Sequence, residues 1–178
     1  MRALVTGATG FAGSWLCKLL ASQGAMVQGW ARQLPTDPVS GVQYASVDVS
    51  SRAQVLDGMH DACPEVVFHL AALANVADCE SDPARAHEVN VNGTHHVITA
   101  MPKDSRAVLA STCHVYGSPK RLPVVETDTC EPHGVYAQTK LEAERVARRS
   151  GRDVVVVRAF HHTGPGQTSR YAIADWAE

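Results

Sequence analysis

Short apolar runs alternate along the chain with longer stretches whose apolar residues recur at helical spacing. Ala3-Leu4-Val5 is a buried-strand type of run. A glycine-rich turn separates it from residues 11–23, where Phe11, Trp15, Leu16, Leu19 and Leu20 repeat with the period of a helix. Gly24, free to take positive φ, ends that helix. The pattern then predicts a strand over 26–30, a loop LPTDPVSG, a third strand over 42–46 and a helix over 51–61. Pro64 precedes EVVFHL, read as the fourth strand. One long helix follows Pro83, with Ala86, Val89, Val97 and Ile98 on its apolar side. RAVLAS is the fifth strand, 136–149 a helix and 153–159 the sixth strand.

Strands that alternate with helices need crossover connections, which implies a parallel sheet covered on both faces. The fold class is therefore α/β, a Rossmann-type doubly wound sheet. The run VVVV at 154–157 suits a strand buried on both sides. Such sheets bind ligands beyond the carboxyl ends of their strands, so chemistry is expected just after Val5, Leu70, Leu109 and Val157.

Composition narrows the classes further. The 178 residues suffice for one sizeable domain, and the formal net charge of -2 gives no basic footprint for nucleic acid or an anionic membrane. Five cysteines without a C-x-x-C pair read as neither a disulfide framework nor a zinc site. No apolar run approaches a membrane span, and Thr6, Gly7, Thr9 and Gly10 interrupt the N-terminal run too early for a signal peptide. The expected compartment is the cytoplasm.

Directly after the first strand stand Gly7-Ala8-Thr9-Gly10-Phe11-Ala12-Gly13, a G-x-x-G-x-x-G spacing between strand and helix. Small residues let the backbone approach a pyrophosphate, and the helix N-terminus offers free N–H groups to it. Sites that prefer NAD place a carboxylate at the end of the second strand. Here Ala31 offers no acceptor and Arg32 is suited to a 2′-phosphate, which favours NADP(H), with NAD(H) as the alternative. Asp48 is a candidate for the adenine end or for capping the next helix; Val49, Leu70, Ala71 and Ala72 complete the candidate cofactor contacts.

Tyr136 and Lys140 stand four residues apart on one helix, hence on one face. A neighbouring ammonium favours the phenolate and lowers a phenol pKa of ~10 toward neutrality. Ser111-Thr112, at the end of the fifth strand, places a hydroxyl where it can bond a substrate oxygen. A Y-x-x-x-K spacing alone is common on amphipathic helices; three elements converging on one cofactor give it weight.

TGATGFAG, HLAA, NVNGT, STCHVYG, YAQTK and RAFHHTGPGQ together resemble the ordered signature blocks of extended short-chain dehydrogenase/reductases, which include nucleotide-sugar epimerases, dehydratases and 4-keto reductases. The resemblance runs from residue 1 to about 167. It implies hydride transfer at a sugar carbon, with Tyr136 as acid/base, Lys140 as its activator and ribose anchor, and Thr112 as the carbonyl-side hydroxyl. Asn90 matches an asparagine that supports the active site, and Ser111, His114 and His161 join the substrate side. RAFHHTGPGQ is most similar to the GDP-4-keto-6-deoxymannose reductases, where asparagine usually stands at the position of His161.

The expected function is accordingly an NADP(H)-dependent reductase of a 4-keto-6-deoxy nucleotide sugar. A nucleotide-sugar epimerase is the alternative, a 4,6-dehydratase a lesser one, and a non-catalytic dinucleotide sensor the alternative of another class. Cys113 and His114 stand where the dehydratases carry acidic residues, which argues against elimination. Adjacent histidines at 95–96 and 161–162 point apart, so no metal is expected, and Cys113 reads as lining the pocket. By resemblance a homodimer is expected. Residues 1–167 form the dinucleotide domain. Residues 168–178 read as the start of a helix in a substrate lobe that this chain largely lacks.

Overall fold

The computed structural model describes residues 1–167; the helix expected over 168–178 lies outside them. Six strands form one sheet: β1 (Arg2–Thr6), β2 (Met26–Ala31), β3 (Val42–Ser46), β4 (Val66–His69), β5 (Arg106–Thr112) and β6 (Asp153–Ala159). Their spatial order is β3-β2-β1-β4-β5-β6 and every neighbouring pair is parallel. The chain winds outward from β1 to β3, returns to β4 and winds the other way. Thr6 pairs with His69 across this reversal, so the loops after β1 and β4 diverge and open a crevice between them.

The helices are α1 (Phe11–Ser22), α2 (Arg52–Ala62), α3 (Val76–Ser81), α4 (Pro83–His87), α5 (Gly93–Ala100) and α6 (Gly134–Arg149). A π turn over Glu88–Asn92 joins α4 to α5, and a 3-10 turn over Cys113–Tyr116 follows β5. The long helix expected after Pro83 is thus interrupted at its middle. Helix α3 has no apolar period to announce it; Asn75 starts it by accepting a hydrogen bond from Asp78 N.

Alternation along the strands sorts the core. Leu4, Val67, Ala107 and Leu109 face Val55, Met59, Val97, Ile98 and Ala147 of α2, α5 and α6, with Trp30 buried among them. Ala3, Val5 and Val27 face Cys17 and Leu20 of α1. Among the described residues α1 alone covers that second face. Val154 and Val156 of β6 pack on the first cluster, but Val155 and Val157 are 45% and 46% exposed on the other side. Among the described residues that side of β6, the last strand of the sheet, is not covered, so two-sided burial is not seen there.

The apolar side of α1 is also displaced from expectation. Gly13, Cys17 and Leu20 are buried, whereas Trp15 and Leu19 are 48% and 53% exposed. A Cβ on Gly13 would lie 2.1 Å from Gly7 O. The bare glycine lets the helix seat directly on the loop, and that contact, not the bulky residues, sets its rotation.

Candidate active site

The loop after β1 is shaped by glycines. Gly7 has φ +71°, and a Cβ there would stand 2.8 Å from Ala71 N. Gly10 N donates to Gly7 O (3.0 Å), closing the turn. Helix α1 starts with no side-chain cap and no acidic residue in its first turn. Its leading amides therefore point toward the cleft that Phe11, Ala12 and Gly13 line. A side chain at Gly13 would fill this cradle, whose donors and dipole suit a dinucleotide pyrophosphate.

Beneath the loop runs a buried chain of hydrogen bonds. Thr94 Oγ1 donates to Asn90 O (2.6 Å), so it must accept from His69 Nε2 (3.1 Å). His69 Nδ1 then accepts from Thr6 Oγ1 (2.7 Å), which itself accepts from Ala71 N (3.1 Å). Every proton is assigned if His69 is neutral. Burial, with Lys140 adding to it, pushes the His69 pKa down to about 3. The chain ties β1, β4 and the helix of Thr94 together under the phosphate cradle.

Catalytic candidates come from three further elements. Lys140 is 5% exposed. Burial brings its pKa down to about 8 against the opposing pull of Glu144 and Cys79. Tyr136 stands one helical turn earlier on α6. Thr112, at the end of β5, accepts a hydrogen bond at Oγ1 from His114 N (3.3 Å). Asn90, inside the π turn, clamps the loop after β4. Its Oδ1 accepts from Leu73 N (2.8 Å), and its Nδ2 donates to Leu73 O (3.1 Å) and Thr139 Oγ1 (3.0 Å). Thr139 in turn donates to Tyr136 O (2.9 Å).

Behind this group lies Glu144, fully buried and not singled out by the sequence pattern. Its carboxylate accepts from Ser111 Oγ (2.5 Å), from Arg158 Nε and Nη2 (3.0 and 2.8 Å) and from Arg148 Nη2 (3.1 Å). Burial alone would raise its pKa, but the bonds from Arg158 and Ser111 outweigh it and hold the carboxyl below its ordinary range. The Ser111 hydroxyl proton is thus directed into the fold and away from the cleft. Position i+4 from Lys140 was the available signal for Glu144, masked because a glutamate there usually faces solvent.

At the candidate adenosine end, Asp48 caps nothing: Ser51 accepts from Gln54 N and starts α2. Asp48 Oδ1 accepts from Ser50 N (2.9 Å) and Oγ (2.6 Å), and Oδ2 pairs with Arg85 Nη2 (3.2 Å). Arg85, which no motif announced, therefore neutralises Asp48, a carboxylate that lines the same cleft as Arg32. On the opposite side His114 stands edge-on to the Tyr136 ring (centroids 5.9 Å apart, 80°) and next to His161.

One cleft of about 890 Å³ unites these groups. Gly7, Thr9, Gly10, Phe11, Ala12 and Gly13 lie along it with Arg32, Asp48 and Val49. So do Leu70, Ala71 and Ala72, and on the far side Ser111, Thr112, His114, Tyr136, Lys140 and His161. The four strand ends expected to carry chemistry all open into it. Among the described residues no group of three or more His, Cys, Asp or Glu side chains is placed to hold a metal ion, and no helix is long and apolar enough to cross a membrane.

Comparison with known proteins agrees with this architecture. The GDP-6-deoxy-D-mannose reductase of Pseudomonas aeruginosa is 30% identical over 190 residues, covering 99% of this chain and 57% of that protein. A UDP-glucose 4-epimerase of Halalkalibacterium halodurans is 30% identical, covering 96% of this chain and 53% of its own length. The structure of MoeE5 in complex with UDP-glucose and NAD superposes with a TM-score of 0.86 at 31% identity, covering 98% of this chain and 59% of that one. The chain thus spans little more than half the length of these relatives. The model of the NAD dependent epimerase/dehydratase family matches residues 3–177. By fold, by the order of its site elements and by this match, the chain belongs to the NAD dependent epimerase/dehydratase family.

Proposed function

We propose that this chain carries the dinucleotide-binding and catalytic part of an NADP(H)-dependent reductase of a 4-keto-6-deoxy nucleotide sugar, of the GDP-4-keto-6-deoxymannose type. The observation that carries the reading is the convergence of Thr112, Tyr136 and Lys140 on the cleft that also holds the Gly7–Gly13 cradle. The relative from Pseudomonas aeruginosa, a reductase by name, supports the substrate class. Arg32, with Asp48 already paired to Arg85, supports a 2′-phosphate and hence NADP(H) over NAD(H).

The cradle residues and Lys140 would hold the dinucleotide, which when bound supplies the hydride for sugar C4. Thr112 Oγ1 accepts from His114 N, so its own proton is available for the substrate carbonyl oxygen. That bond orients the carbonyl and draws charge onto its oxygen. Tyr136 delivers a proton to the same oxygen, and the Lys140 ammonium stabilises the phenolate left behind. Lys140 is dry, so its charge acts on the phenol with little screening. Neither Cys113 nor His114 supplies the carboxylate that elimination would use, which weighs against a dehydratase. The presence of Thr112, Tyr136 and Lys140 together weighs against a non-catalytic sensor.

A nucleotide-sugar epimerase is the second reading, favoured by the epimerase names among the relatives. It uses the same side chains with no net consumption of cofactor. Five free cysteines fit a reducing cytoplasm, and a homodimer follows the family resemblance. The deciding experiment is NADPH absorbance on adding a GDP-4-keto-6-deoxy sugar, with NADPH binding measured on the same sample. Stoichiometric loss with a 4-hydroxy product supports the reductase, and Tyr136→Phe must abolish it while sparing NADPH binding. Binding without consumption removes the reductase reading.

A further inference from the structure

We propose that His114 and His161 form a two-imidazole site for a divalent transition-metal ion, Zn²⁺ above all, at the substrate-side mouth of the cleft. The site is built by sheet register. Thr112 of β5 pairs with Ala159 of β6, and the two histidines stand two residues beyond each partner. Adjacent histidines in sequence point apart; these two, 47 residues apart in the chain, converge.

Their Nε2 atoms are 3.5 Å apart while the ring centroids are 5.5 Å apart and tilted by 57°. The rings therefore splay, with their nitrogen tips as the near atoms. Two imidazoles on a tetrahedral zinc at ~2.0–2.1 Å place their nitrogens about 3.3 Å apart, whereas adjacent corners of a square plane bring them to about 2.9 Å. The observed separation is close to that on the tetrahedral ion.

Both rings are exposed and reachable, and both also border a neighbouring 460 Å³ hollow lined by Cys113 and His133. His114 is steadied by its backbone bond to Thr112 and by the edge contact with Tyr136. A neutral imidazole that carries its proton on Nδ1 leaves the Nε2 lone pair for a metal, so the site needs that tautomer at both His114 and His161. With no third protein donor placed to join among the described residues, the ion keeps open positions for water or for a substrate oxygen. It sits beside Tyr136, so occupancy obstructs approach to the candidate catalytic group.

The test is titration of the protein with Zn²⁺ alone, read by imidazole ¹⁵N resonances and calorimetry. One equivalent must shift the Nε2 signals of His114 and His161. His114→Gln and His161→Asn must each weaken binding by more than the roughly 10–100-fold cost of losing an outer-sphere partner. Circular dichroism and thermal unfolding establish that each variant is folded, and Cys63→Ser removes the exposed thiol as a competing site. Zinc that leaves both resonances unmoved, or that binds a folded His161→Asn protein with unchanged affinity, overturns the proposal.

Discussion

Replacing Glu144 with glutamine changes one oxygen for one NH₂ and tests how the fold carries a buried charge. Glu144 has a side-chain exposure of 1% and Arg158 one of 8%. The substitution leaves the Arg158 guanidinium uncompensated and turns an amide donor toward its N–H groups. Tyr116 Oη and Glu126 O, at 3.0 and 3.2 Å, remain as neutral partners. Breaking a buried pair on one side costs ~3–5 kcal/mol, a large part of a total stability of ~5–15 kcal/mol. Arg148, whose side chain is 60% exposed, contributes little through its own bond to Glu144; Arg148→Met should cost no more than ~0.5 kcal/mol. Urea unfolding followed by far-UV circular dichroism measures all three proteins, and the double variant Glu144→Gln/Arg158→Met should recover most of the loss. A loss below ~1 kcal/mol for Glu144→Gln, or one no larger than that of Arg148→Met, would refute the reasoning. The pH dependence gives a second check. The folded pKa of Glu144 is depressed, so its stabilisation is present above the ordinary ~4.3 and is lost as pH falls through the lower folded value.

Lys140→Met should raise stability while abolishing turnover, because a folded pKa of about 8 means that burying the charge costs the fold on the order of 3 kcal/mol at neutral pH. That gain over the parent should shrink as pH rises from about 8 to ~10.4, where the unfolded lysine also loses its proton; a gain independent of pH in thermal melts would contradict it. Gly13→Ala should destroy dinucleotide binding, since its Cβ would stand 2.1 Å from Gly7 O, whereas Gly10→Ala meets that same oxygen at 3.2 Å and should bind within roughly tenfold of the parent by fluorescence titration. Arg32→Ala should weaken NADPH by about tenfold or more and leave NADH unchanged, with the NADPH affinity of the parent falling more steeply with added salt; equal losses for both dinucleotides would end the argument for a 2′-phosphate.

The strands and the site were legible in the sequence for different reasons. Strand runs such as RAVLAS and EVVFHL are short, apolar and bounded by turn residues, and the reversal of winding places their ends together whatever the details. The Gly7–Gly13 spacing and the Tyr136–Lys140 pair are local, so their geometry follows from the strand–turn–helix and from one helical turn. What the pattern could not carry is contact across the fold. Glu144 reads as a surface residue until Arg158 and Ser111, from two neighbouring strands, close on it. Arg85 joins Asp48 across 37 residues of chain. Trp15 and Leu19 are apolar at the expected period, yet the helix turns Gly13 and Cys17 inward because only a bare backbone fits against Gly7.

The π turn at Glu88–Asn92 has the effect of a phase shift. A single surplus residue in a helical ladder rotates everything beyond it by about 100°. Ala86 on one side of the turn and Val97 and Ile98 on the other are all fully buried, so both halves are held by close packing and neither is free to rotate when the ladder changes phase. Asn90 sits where the phases meet, and its amide bridges Leu73 and Thr139. Loss of one residue anywhere between Glu88 and Asn92 would restore an unbroken ladder, and the two halves would then keep time with each other instead of with their surroundings. A change in chain length there is therefore transmitted to the backbone of Tyr136 through Asn90 and Thr139, with no substitution at Thr112, Tyr136 or Lys140.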